Sequence, residues 1–137
     1  MSFDVLFRLG FVLALAALGW LGYTAWIQTR LRRLTARSTP GFQQGNPALV
    51  LFSSPDCLPC RTLQKPEIAH FQRAWAGRVQ LIEIDVADRP DLARAWGVMS
   101  LPTTIVLDKR GTAKHLNTGI VRRSELVRQF AALEKLN

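Results

Sequence analysis

Cysteine is almost absent from this chain: 137 residues contain two, Cys57 and Cys60. Two cysteines cannot build the multi-bridge framework of a small secreted scaffold, so a hydrophobic core must hold the fold. Nor can they supply the four ligands of a structural zinc site within one chain, and neither His70 nor His115 stands at metal spacing from them. Both histidines read as surface or satisfied residues, and nothing in the sequence asks for a metal or a cofactor. The formal net charge is +8, but a basic stripe interleaved with aromatics is missing. Residues 1–40 carry Arg8, Arg30, Arg32, Arg33 and Arg37 against Asp4 alone, and the other thirteen basic residues are spread among nine acids. That distribution argues against a nucleic-acid partner. Internal repeats and low-complexity tracts are also missing, and the length fits one modest domain plus an appendage.

What the chain does have is apolar: 48% of its residues, with four Trp and seven Phe, enough for a real core. Leu9 to Ile27 runs without a charge. Nineteen residues at about 1.5 Å rise span roughly 28 Å, close to the hydrocarbon thickness of a bilayer. Trp20, Tyr23 and Trp26 gather toward its C-terminal end, and R-L-R-R-L-T-A-R follows. The expectation is one transmembrane helix with interfacial anchors inside an N-terminal segment 1–34. Two other readings fit less well. A cleaved signal peptide ends in small residues rather than aromatics and arginines, and a buried helix needs a larger surrounding core than this chain offers. Four arginines follow the run within ten residues against Arg8 before it, so a single-pass cell-membrane protein with its C-terminal domain in the cytoplasm is expected, the extracytoplasmic side being the alternative. Residues 35–47, rich in turn formers, read as a linker that lets a domain at 48–137 move near the membrane.

In that domain, Ala48–Ser53 is a continuous apolar stretch of strand length. Leu58 to Trp75 has a helical pattern, with Leu63, Ile68, Phe71 and Trp75 assigned to the core and Pro66 to a kink. A strand is expected at Val79–Val86, then a short helix between Pro90 and Gly97, a hairpin of Thr103–Leu107 with Ala113–Gly119, and a final helix capped by Ser124 with Leu126, Val127, Phe130, Leu133 and Leu136 on its apolar side. A right-handed crossover makes the first two strands parallel and the hairpin makes the last two antiparallel. The fold class is therefore α/β, a four-stranded mixed sheet flanked by helices.

The cysteines fall where the first strand gives way to a helix. Unpaired backbone N–H groups at a helix start favour an anion, so Cys57 is expected to be the nucleophilic thiolate. Cys60, three residues on, is within reach for disulfide closure. Pro59 removes an N–H that has no intrahelical partner there and stiffens the turn.

C-L-P-C after an apolar strand resembles the C-x-P-C centre of the thioredoxin family, and G-V-M-S-L-P-T-T at residues 97–104 resembles that family's G-V-x-S-x-P-T segment. The two motifs stand in the family's order, and the likeness covers roughly residues 48–134. It implies a thioredoxin-like fold, a cis peptide bond before Pro102, and a peptide-binding role for Leu101, Pro102 and Pro59. The 41 residues between Cys60 and Pro102 leave no room for the long insertion of many membrane-tethered thiol reductases of cytochrome maturation. The pattern also departs from the family: Asp56 replaces the Trp before the first cysteine, Leu51 the buried strand carboxylate and Glu83 its lysine partner, and the family's first strand and helix are missing. Glu83 is either a relocated proton acceptor for Cys60 or a solvated residue on an edge strand.

The resemblance implies a protein-disulfide oxidoreductase in which Cys57 attacks and Cys60 resolves, with protein disulfides as substrates and an upstream thiol reductase or oxidant as partner. The alternative is a tethered interaction module that binds extended peptides beside the proline loop with little redox turnover.

Overall fold

Six apolar residues in a row are best placed in a strand covered on both faces, and Ala48–Ser53 forms such a strand, β1, buried along its whole length. The computed structural model describes residues 3–33 and 39–135. The expected linker positions 35–38 and the apolar position Leu136 lie outside them. The chain divides into two compact units at Arg33.

The first unit is α1, Phe3–Arg33, with Asp4 in its first turn where the helix dipole favours a negative charge. Its segment Asp4–Ile27 is long and apolar enough to cross a membrane. The hydroxyls of Thr24 and Thr29 donate to the carbonyls of Leu21 and Trp26 at 3.0 and 2.9 Å, so both are satisfied by the helix itself.

In the second unit, β1 is followed by a π-helical turn Cys60–Gln64, α2 (Lys65–Ala74), β2 (Gln80–Asp85), α3 (Pro90–Ala95), β3 (Thr103–Leu107), β4 (Ala113–Thr118) and α4 (Arg123–Lys135). The strands form one mixed sheet in the order β2-β1-β3-β4, with β1 parallel to β2 and antiparallel to β3, and β4 antiparallel to β3. On one face Leu49, Leu51 and Val106 pack with Ile68, Phe71 and Trp75 of the α2 region and Leu126, Phe130 and Leu133 of α4. Phe130 lies at the centre of an aromatic cluster, 5.1 Å from Phe71 and 6.0 Å from Trp75 between ring centroids. Strand alternation turns Val50, Phe52, Ile105 and Leu107 to the other face, where they too are buried.

Three expectations are corrected. Leu63 is exposed and Gln64 is buried in its place. Leu63 precedes Ile68 by five residues, too many for one helical face, whereas Cys60, Gln64, Ile68, Phe71 and Trp75 follow the three- and four-residue spacing of a single stripe. The irregularity expected at Pro66 is a π-helical turn just before it, in which the Lys65 N–H donates to the Cys60 carbonyl five residues back. Ser124 is not the cap of α4. The helix starts at Arg123, the Arg122 carbonyl accepts from the N–H groups of Glu125 and Leu126, and the Glu67 carboxylate of α2 accepts the Arg123 N–H at 2.7 Å. Residues 39–47, within the expected linker, are hydrogen-bonded to the domain. The Gln80 side chain donates to the carbonyls of Gln43 and Asn46 at 2.7 and 2.9 Å and accepts from the Gln43 N–H, while the Gly45 N–H donates to the Lys109 carbonyl.

This packing gives a direct comparison. Phe130→Ala is expected to destabilise the domain by about 3–5 kcal/mol, the cost of emptying a closed aromatic core site. Leu63→Ala is expected to stay within about 0.5 kcal/mol, as for an exposed position. Urea unfolding of the full chain in detergent, followed by tryptophan fluorescence, measures both; equal losses would return Leu63 to the core.

Candidate functional site

Beyond Ser53 the chain turns sharply: the Cys57 N–H donates to the Ser54 carbonyl at 3.1 Å across S-P-D-C. Asp56 is exposed in this turn. Helical geometry begins at Leu58, so Cys57 stands at the entrance of the helix and Pro59 lies in its first turn with φ −60°, where a missing N–H costs no intrahelical bond. Cys57 and Cys60 form a disulfide, with an S–S distance of 2.02 Å and Cα atoms 5.3 Å apart. The Cys60 N–H points at the Cys57 sulfur at 3.2 Å. The two sulfur-bearing residues differ in access: Cys60 is fully buried and Cys57 only partly.

The sheet brings the second motif to the same end. Phe52 of β1 is paired with Thr103 of β3, so Pro102, just before Thr103, lies at the end of β1 from which the chain runs to Cys57. The Leu101–Pro102 bond is cis. Pro102 is buried, its carbonyl accepts the Gly119 N–H at 2.8 Å, and the Thr103 hydroxyl donates to the Ser100 carbonyl at 2.7 Å, which fixes the loop from both sides. Leu101 is partly exposed and Met99 is 95% exposed beside it.

Glu83 lies on β2, an edge strand, opposite Leu51. Its carboxylate pairs with the Lys65 ammonium at 2.9 Å, both side chains 44% exposed. Leu51 is completely buried in the apolar cluster. Of the two histidines, His70 is exposed with its Nδ1 2.8 Å from the Arg73 guanidinium. His115 on β4 is held below the usual histidine range, chiefly by partial burial. Among the described residues no group of three or more His, Cys, Asp or Glu side chains is gathered for a metal ion.

One residue of this region was missed in the sequence: Gln64, whose amide is 0% exposed and paired with the Val121 backbone. Its signal was the four-residue step from Cys60 to Gln64 to Ile68, which places it on the buried stripe.

Sheet order, a disulfide at a helix entrance and a cis-proline loop at the same pole define a thioredoxin-fold protein with a cysteine pair that can cycle between disulfide and dithiol. The chain belongs to the thioredoxin family, whose model matches residues 41–132. It is similar to an M-type chloroplastic thioredoxin of Zea mays, 34% identical over 80 residues, 58% of this chain and 47% of the maize protein. A thioredoxin of Rickettsia felis is 30% identical over 81 residues, 59% of this chain and 75% of that one. The chain thus spans about half the length of the chloroplast relatives it matches. Among solved structures, thioredoxin-2 of the malaria parasite, described as a component of its protein secretion machinery, superposes with a TM-score of 0.60 at 26% identity, over 64% of this chain and 82% of that one. Chloroplastic thioredoxin z shares the fold with a TM-score of 0.61 at 24% identity, over 73% and 85% of the two chains.

The difference in access has a chemical consequence. After reduction, iodoacetamide is expected to label Cys57 well before Cys60, because only the first sulfur belongs to a residue that solvent reaches. Peptide mass mapping at short labelling times reads the order; equal rates would contradict the burial of Cys60.

Proposed function

We propose that the protein is a membrane-tethered thiol–disulfide oxidoreductase that reduces protein disulfides. The observation that carries this reading is the Cys57–Cys60 disulfide at a helix entrance, with the first residue accessible and the second buried. The Cys57 thiolate attacks a substrate disulfide, and one substrate sulfur leaves as a thiolate. Cys60 then attacks the Cys57 sulfur, the mixed disulfide breaks, and the second substrate thiol is released. The dithiol supplies the two electrons, and an upstream thiol reductase restores it. Leu101 offers backbone groups to an extended substrate segment, with Pro102 beside it facing the cysteines and Pro59 lining the approach. Glu83, half-exposed and held by Lys65, fits a solvated edge residue better than a proton relay.

Full-length protein in detergent is expected to accelerate insulin reduction by dithiothreitol. Cys57→Ser abolishes the acceleration, and Cys60→Ser accumulates a mixed disulfide seen by non-reducing electrophoresis. Glu83→Gln leaves the resolution rate unchanged across pH; a loss would restore the relay. Turnover that survives Cys57→Ser would overturn the assignment, and absence of turnover in the wild type would favour the peptide-binding module.

For the tether, α1 is proposed as a single membrane span with the C-terminal domain in the cytoplasm. The length and apolar composition of Asp4–Ile27, the self-satisfied threonines and the arginines after the span support it. The protein is expected to resist carbonate extraction, and a C-terminal reporter that works only in the cytoplasm is expected to be active. Activity of an export-dependent reporter reverses the orientation, and a soluble shortened product identifies a cleaved signal.

A further inference from the structure

A buried amide on an apolar helix stripe is costly unless its donors and acceptor are used. Gln64, 0% exposed, is the last residue of the π-helical turn that Cys60 opens. Its Oε1 accepts the Val121 N–H at 2.8 Å and its Nε2 donates to the Val121 carbonyl at 3.1 Å. Both bonds go to one backbone unit, so the amide holds position in two directions. Two residues before Val121, the Gly119 N–H donates to the Pro102 carbonyl. The segment Gly119–Val121 therefore joins the turn that carries Cys60 to the cis-proline loop.

We propose that Gln64 is a positioning residue for the cysteine pair. By clipping the π-helical turn to Gly119–Val121, it fixes the Cys60 sulfur relative to the Cys57 sulfur and to the proline loop, and so sets how readily the pair closes. The proposal rests on the redox reading above and concerns its second step: the Cys60 thiolate, its proton given to solvent, bonds to the Cys57 sulfur while the bond from Cys57 to the substrate sulfur breaks. A clip at this place acts through the reach of Cys60 and touches neither substrate nor sulfur. Geometry of this kind has large leverage, since a misplacement of about 1 Å can cost on the order of a hundredfold in rate.

The test uses the full chain in detergent with two readouts, the dithiol–disulfide equilibrium against dithiothreitol and the closure rate of the mixed disulfide formed with oxidised glutathione. Gln64→Leu leaves the Val121 N–H and carbonyl unpaired. It is expected to favour the dithiol by roughly tenfold, about 30 mV toward a less negative potential, and to slow closure by a similar factor. Gln64→Glu is the sharper arm. A protonated carboxyl group can accept from the Val121 N–H and donate to its carbonyl as the amide does, whereas a carboxylate can only accept. The closure rate of Gln64→Glu relative to wild type is therefore expected to approach one at acidic pH and to fall as pH rises. Variants that lose only Tm, with the potential and the relative closure rate unchanged, overturn the proposal, as does a Gln64→Glu ratio that is flat with pH. If Gln64→Leu does not fold, Gln64→Glu carries the test. Failure of the redox reading is distinguishable, because the wild type would then not reduce insulin while its equilibrium with dithiothreitol would still report on Gln64.

Discussion

The pairing of β1 with β3 sets Leu49 opposite Val106 and Phe52 opposite Thr103, and a slip of one residue would undo both the core and the site. Side chains alternate along a strand, so the slip would turn one strand's inward set away from the helices that cover it. Leu49, Leu51 and Val106 would no longer share the cluster with α2 and α4. The same slip would carry Pro102 out of line with the end of β1. Because both strands are buried along their length, the cost of such a slip is counted in several large apolar side chains at once. The cysteine turn and the proline loop can therefore rest on turns and loops while keeping a fixed relation.

Those two central strands were also the most legible part of the sequence. Ala48–Ser53 and Thr103–Leu107 are found at the bounds their apolar runs imply, and the C-x-P-C and S-L-P-T-T motifs lie at the pole where the strand order puts them. What escaped reading involves polar groups satisfied at long range. Gln64 looks like a surface residue until its partner, 57 positions away, is known. Ser124 looks like a cap because nothing local announces that the helix starts one residue before it, with the Arg123 N–H taken by Glu67, 56 positions back. Local rules rank side chains by what their neighbours in sequence can offer, and here the tertiary fold made the better offer. The segment 39–47 reads as a linker for the same reason: its turn-forming composition is real, but the side-chain amide of Gln80 and the carbonyl of Lys109 use its backbone groups.

Among the described residues no strand pairs with the outer side of β2, which leaves an open sheet edge, and open edges invite pairing with other chains. Charges stand along this one. Glu83 and Asp85 are on β2, and Lys65 reaches Glu83 from α2. An exposed ion pair of this kind contributes little stability, in the range of about 0–1 kcal/mol. Its effect is better seen as keeping the edge hydrated, while Gln80 at the start of β2 holds Gln43 and Asn46 against it. Leu51, next to Glu83 in the register, is then free to serve the core alone.

The unequal burial of the cysteines orders the proposed chemistry. A substrate disulfide can meet only the accessible residue, so the intermolecular bond forms at Cys57, and Cys60 meets no sulfur but that of Cys57. Enclosure also shields the second sulfur from oxidants that would carry an exposed thiolate beyond the disulfide level. Burial and geometry thus fix the sequence of steps but not the direction of electron flow, which depends on the couple that reloads the pair. In the reducing cytoplasm the dithiol is the state restored after each turnover, and reduction of substrates follows. On the opposite face of a membrane the same geometry serves an oxidant equally well. In the proposed orientation the arginines that follow the apolar run therefore bear on the reaction as directly as any residue beside the sulfurs, since by the positive-inside rule they would set the compartment in which the pair is reloaded.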